Sequence, residues 1–182
     1  RTSCTILVDK EEIGSVGATG MQSHFFENMV AELLGCLGYY SELNLKRTLA
    51  RSKMLSSDVD AGYDPIYASV SDRNNAGFLG KGISLNKYTG SRGKSMASDA
   101  NAEYVAEIRR IYEENNIAYQ FGELGKVDVG GGGTRALILA NKGIEVIDSG
   151  VPVLSMHSPY EVTSKFDIYE AYRAYKVFLK EA

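Results

Sequence analysis

The chain has 182 residues, with 20 Lys and Arg against 23 Asp and Glu and a formal net charge of −3. Hydrophobic residues make up 44% and charged residues 24%, ordinary globular usage that excludes a disordered tail, a collagen-like repeat and a disulfide-dense scaffold. The mild acidity speaks against a nucleic-acid grip, and no apolar run approaches the roughly 18 residues of a membrane span.

In chain order, residues 5–8 form a short run rich in β-branched residues, which predicts a buried strand. A loop punctuated by Gly14, Gly17 and Gly20 follows. Residues 21–37 predict a helix with one broad buried face, made by Phe25, Phe26, Met29, Val30, Leu33, Leu34 and Leu37 and stopped at Gly38. A second helix is expected over 41–50 and a strand over 53–59. Residues 83–88 predict a strand. Ser98 is read as the cap of a helix reaching residue 114, with Tyr104, Val105, Ile108, Ile111 and Tyr112 on one face. Further strands are expected over 117–121, 144–147 and 151–155. A helix over 134–140 follows the run Gly130 to Gly133, and the last helix, over 166–180, is expected to turn Ile168, Tyr172, Tyr175 and Leu179 inward. Strands separated by helices predict an α/β sandwich with a mostly parallel central sheet. Such sheets place their sites at the carboxyl ends of strands.

Two cysteines, Cys4 and Cys36, make no disulfide or zinc framework and are expected to be buried thiols in a reducing, cytoplasmic compartment. The chemistry is concentrated elsewhere. Glu11 and Glu12 adjoin just past the first predicted strand. Neighbouring loop side chains can diverge, so that one carboxylate binds a metal while the other acts as general base. The same pair, by spacing alone, also fits a solvated acidic turn. Asp58 and His157 follow two further strand-like runs; singly, they fit a turn cap and a structural histidine. Together, Glu12, Asp58 and His157 would converge if their strands are neighbours, and carboxylates with an imidazole suit zinc or a similar divalent ion. His24 is expected to be structural. The run Gly130 to Gly133 lacks the lysine of a phosphate loop. It can line a substrate backbone or form a flexible turn.

The segment Asp9-Lys10-Glu11-Glu12-Ile13-Gly14-Ser15, then Ser57-Asp58, then Leu154-Ser155-Met156-His157-Ser158 with Glu161, resembles the aspartyl aminopeptidase and vacuolar aminopeptidase I family of zinc metallopeptidases. The similarity runs from the first residues to the last helix, so that residues 1–182 are expected to be the C-terminal part of one catalytic domain, incomplete at its N-terminus. The resemblance implies a three-layer α/β/α sandwich with a mostly parallel central sheet, carrying two divalent metal ions, zinc before cobalt or manganese. It implies Glu11 as general base, Glu12 and His157 on one metal, and Asp58 on the other. It implies substrate contacts from Lys87, Gly131, Gly132, Gly133 and Thr134. It further implies peptide substrates and a homo-oligomer, the family forming dodecamers, with neither nucleic acid nor membrane as partner. An upstream histidine ligand and a bridging aspartate are expected before Arg1. Ala61 and Asp64 stand where acidic-specific relatives carry histidines, and Lys94 where they carry a pocket tyrosine. Two alternatives remain: a catalytically incompetent piece with an assembly role, and a nucleotide-binding module built on the glycine run.

Overall fold

The computed structural model describes residues 2–92, 95–132 and 134–182. After a 3-10 turn at Glu11–Ile13 come α1 (Phe25–Cys36), α2 (Glu42–Ala50), β1 (Lys53–Ala61), β2 (Ile83–Asn86), β3 (Tyr88–Ser91), β4 (Ser95–Asp99) and α3 (Ala102–Glu114). Then follow β5 (Tyr119–Phe121), α4 (Arg135–Ala140), β6 (Glu145–Leu154), β7 (Val162–Thr163) and α5 (Lys165–Glu181). The central sheet has the order β1-β6-β2-β5, with β7 on β6. β1 and β6 run parallel from Lys53↔Glu145 to Ala61↔Val153, and β2 runs parallel to β5. The β2–β6 and β6–β7 contacts are antiparallel and short, so most of the paired length is parallel. β3 and β4 form a separate hairpin.

Helices cover both faces of the sheet, giving the expected three layers. On one side Leu55, Ile83, Leu85 and Ile147 pack with Tyr104, Ile108, Ile111 and Tyr112 of α3 and with Ala171 and Ala174 of α5. On the other, Met54 and Val146 pack with Leu49 of α2 and with Ala136 and Leu139 of α4. Side chains alternate along each strand. The second face therefore continues past its apolar start as Ser56, Asp58 and Asp60 of β1, Asp148 and Gly150 of β6, and Ser84 and Asn86 of β2.

Several sequence expectations are corrected. Residues 5–8 form no strand, and Leu7 is 94% exposed. Strand propensity needs a neighbour to pair with, and among the described residues this stretch leads only to an isolated bridge, Asp9↔Gly20. Helix α1 buries no residue, and Phe25, Leu33 and Leu37 are exposed. Ser98 lies in a strand, paired with Thr89, because the β3–β4 hairpin claims it; the helix begins after Asn101. Residues 144–155 hold one strand, not two. The apparent break at Gly150 is a close approach: a Cβ there would lie 2.1 Å from the Asp58 carbonyl oxygen.

The inward face of α5 is Asp167, Glu170, Ala171 and Ala174, whereas Ile168, Tyr172 and Leu179 are exposed. Small residues let the helix sit close to the sheet. The buried carboxylates find backbone donors: Asp167 accepts from Gly80 N and Gly82 N, both at 2.7 Å, and Glu170 from Ala118 N at 2.6 Å. Charge-assisted bonds of this kind offset the desolvation of the acids. Both cysteines are free and exposed, not buried. Among the described residues no helix is long and apolar enough to cross a membrane.

Candidate metal centre

Glu11 and Glu12 occupy the 3-10 turn that follows the Asp9↔Gly20 bridge. Lys10 and Ser15 bracket it with φ of 64° and 58°. These are left-handed conformations that cost non-glycine residues energy and recur at functional sites. Ser15 is nevertheless buried, and Gln22 closes the turn by donating to the Gly14 carbonyl at 2.6 Å.

Asp58 lies in β1, and His157 lies just past the end of β6. The expected strand end at Asp58 is corrected: Asp58 pairs with Gly150 and β1 continues to Ala61, whereas His157 lies beyond Leu154, the last residue of β6. Ser155 and His157 are also left-handed, with φ of 57° and 65°. The His157 amide donates to Glu161 Oε1 at 2.5 Å, which fixes this turn. His157 Nε2 lies 3.7 Å from Glu12 Oε2, and both side chains are exposed. Asp58 accepts from Val59 N through Oδ1 and from Arg135 Nη2 through Oδ2, at 2.8 Å each.

Glu11 sits among these groups. Partial burial pushes its carboxyl above the usual carboxylate range, and the negative charges of Asp58 and Glu12 add to the rise. Arg135 and His157 oppose it. The turn, β1, β6 and the start of α4 thus bring Glu11, Glu12, Asp58 and His157 into one electrostatic neighbourhood.

Carboxylates with an imidazole match the donor preferences of zinc. The residues fit such an ion by donor chemistry. Among the described residues Glu12 and His157 stand as one pair, and no group of three or more His, Cys, Asp or Glu is gathered as a ligand set.

The expected substrate residues lie on other segments, Lys87 between β2 and β3 and the glycine run with Thr134 ahead of α4. Lys87 forms an ion pair with Asp99 across the base of the β3–β4 hairpin. Gly131 has a φ of 93°, and a Cβ there would lie 2.3 Å from the Gly90 carbonyl oxygen. Its glycine identity is therefore explained by close packing of the run on β3. The cavity between them, lined by Tyr88, Leu124 and Gly131 among others, is about 10 Å³, room for about one water. Gly132 lies against Leu124, and Gly133 and Lys94 lie outside the described residues. Thr134 precedes α4 but does not cap it with its side chain. Its hydroxyl donates instead to Asp148 Oδ2 at 2.8 Å. Asp148 also accepts from Thr89 at 3.3 Å and from Ser56. Burial raises the Asp148 carboxyl, and these hydroxyls oppose the rise. His24 pairs with Glu27 at the start of α1, at 3.2 Å, away from the cluster.

Three polar residues of this region escape motif reasoning: Arg135, Asp148 and Asp60. Arg135 had a signal, being a cation in the first turn of a helix, where the helix dipole disfavours it. Asp148 and Asp60 had one too, as acids inside strand-like apolar runs.

A family model described as aminopeptidase I zinc metalloprotease (M18) matches residues 1–179. A probable M18 family aminopeptidase 1 of Clostridium acetobutylicum is 58% identical over 179 residues, covering 98% of this chain and 38% of that protein. The crystal structure of an M18 family aminopeptidase from Thermotoga maritima is 43% identical with a TM-score of 0.90, covering 94% of this chain and 38% of that one. The S. cerevisiae mApe1 dodecamer is 25% identical with a TM-score of 0.75, covering 96% of this chain and 37% of that one. The chain thus spans about two fifths of the length of the relatives it matches.

Proposed function

The chain belongs to the aminopeptidase I zinc metalloprotease family, and from that premise we propose that it carries part of the machinery for removing N-terminal residues from peptides. In this proposal Glu12 and His157 hold one zinc ion and Asp58 a second, while Glu11 is the general base. Lys87, Gly131, Gly132, Gly133 and Thr134 face the substrate. The supporting observation is the setting of Glu11: a partly buried carboxyl, raised in pKa, beside Asp58, Glu12 and His157.

Zinc, when bound, supplies Lewis acidity that acidifies water and polarises the scissile carbonyl. The chain's own residues do the rest. Glu11 accepts a proton from the attacking water and returns it to the leaving amine. Its raised pKa makes it a better base near neutral pH than an ordinary glutamate. The left-handed turns at Lys10, Ser15, Ser155 and His157 hold the carboxylates and the imidazole in place before substrate arrives.

Preference for an acidic N-terminal residue is a finer part of the proposal. A substrate carboxylate would reach Lys87 by displacing Asp99 from its ion pair. Homo-oligomerisation is likewise proposed, by analogy with the dodecameric yeast relative. A cytoplasmic setting suits the exposed free thiols of Cys4 and Cys36.

The decisive test is Glu11→Gln in the full-length protein. Peptide turnover should fall about 10²- to 10⁴-fold while zinc content is unchanged. Near-normal turnover overturns the assignment.

A further inference from the structure

We propose that Arg135 is a positioning residue that guards Asp58, fixing its carboxylate while weakening its hold on a divalent metal ion. The proposal rests on Asp58 being a metal ligand, as argued above.

Arg135 is not a loose surface cation. Its side chain is 14% exposed, whereas that of its partner Asp58 is 51% exposed. The more shielded member of the pair is the arginine. Arg135 is held at both ends. Its backbone begins α4 immediately after Thr134, whose hydroxyl is tied to Asp148 in β6. Its tip is tied to β1, where one nitrogen, Nη2, donates to the Ser57 carbonyl at 2.9 Å and to Asp58 Oδ2 at 2.8 Å. The Ser57 contact keeps the guanidinium in place independently of the Asp58 carboxylate.

Of the groups acting on Glu11, Arg135 is the permanent cation; His157 is charged only when protonated. Arg135 also opposes the rise in the pKa of Asp148. A guanidinium keeps its charge at any physiological pH. A metal ion on Asp58 must therefore share this carboxylate with a fixed positive charge. Among the described residues Glu12 forms its ion pair with His157. The two halves of the centre should differ: a firmer metal position at Glu12 and His157, and a weaker, exchangeable one at Asp58.

The test is calorimetric titration of zinc into the metal-stripped full chain, a readout independent of turnover. Arg135→Gln removes the charge and keeps a donor for the Ser57 carbonyl. It should tighten the Asp58-dependent binding step about tenfold, the scale of one lost charge–charge contact. Arg135→Lys keeps the charge and should leave that step within about twofold of wild type. Should Arg135→Gln not fold, Arg135→Met removes the same charge and should give the same tightening. Unchanged or weaker zinc binding in the charge-removing variants overturns the proposal, since a purely structural arginine would loosen the site on removal. Asp58→Asn separates the two levels. If it abolishes the step while Arg135→Gln leaves it unaltered, only the role of Arg135 falls. If Asp58→Asn retains every zinc-binding step, the ligand assignment falls and takes this proposal with it.

Discussion

The two faces of the central sheet are built from the same strands and do different work. Toward α3 and α5 the strands present Leu55, Ile83, Leu85 and Ile147, closed over by Tyr104, Ile108, Ile111 and Tyr112. Toward α4 the same strands present Ser56, Ser84, Asn86, Asp60 and Asp148, all buried. One face is fastened by apolar burial. The other is a polar floor, fastened by hydroxyls on carboxylates, and the candidate metal centre stands at its edge. A single-residue alternation thus separates the part that stabilises the fold from the part that aims the chemistry.

Substitutions on the two faces should therefore separate stability from function. Ile147→Ala empties a site in the apolar face, where the residue is 1% exposed. Unfolding in urea should show a loss of about 2–5 kcal/mol, with zinc affinity unchanged in the fraction that folds.

Asp60 tests the polar floor by pH. Burial pushes its carboxyl up to about 6, against the hydrogen bond from Ser84 Oγ at 2.5 Å and the opposing contacts of Asn86 and the Ala61 backbone. The folded chain binds this proton more tightly than the unfolded chain. The stability contributed by the group is complete below about pH 4 and is lost as pH rises through about 6. Asp60→Asn should remove this slope. The difference between variant and wild type should change by on the order of 2–3 kcal/mol between pH 4 and pH 7. Parallel urea curves for the two proteins across that window would sink the assignment of a protonated Asp60.

The smallest stability effect is expected from Thr134→Val, which removes the 2.8 Å bond to Asp148 and keeps the shape. It should cost about 1 kcal/mol. Its larger consequence should be on peptide KM in the full-length protein, because the bond anchors the end of the glycine run. An unchanged KM would mean that the floor does not position that segment.

The apolar face was the easier to read from sequence. The helical spacing of Tyr104, Ile108, Ile111 and Tyr112 predicts the buried side of α3 directly, and the structure places all four in the core. The same logic fails for α5, because apolar spacing cannot see that Asp167 and Glu170 have backbone amides waiting for them. It fails again for residues 5–8, whose β-branched pattern states a preference without supplying a partner strand. Within the candidate site, Glu11, Glu12, Asp58 and His157 stand out as charged or titratable residues after apolar runs. Arg135 acts across the sheet from a different element, and its contact with Asp58 depends on the β1–β6 register, which no local pattern carries.

That register also has a kinetic side. Lys53 of β1 pairs with Glu145 of β6 only after β2 to α4 have been looped out between them. Closing so long a loop is slow, because chain entropy is lost before contacts repay it. The local helices need no such closure, but the strands that carry and precede Asp58 and His157 are joined only when this parallel pair closes. The candidate centre therefore depends on a long-range closure that no local element supplies.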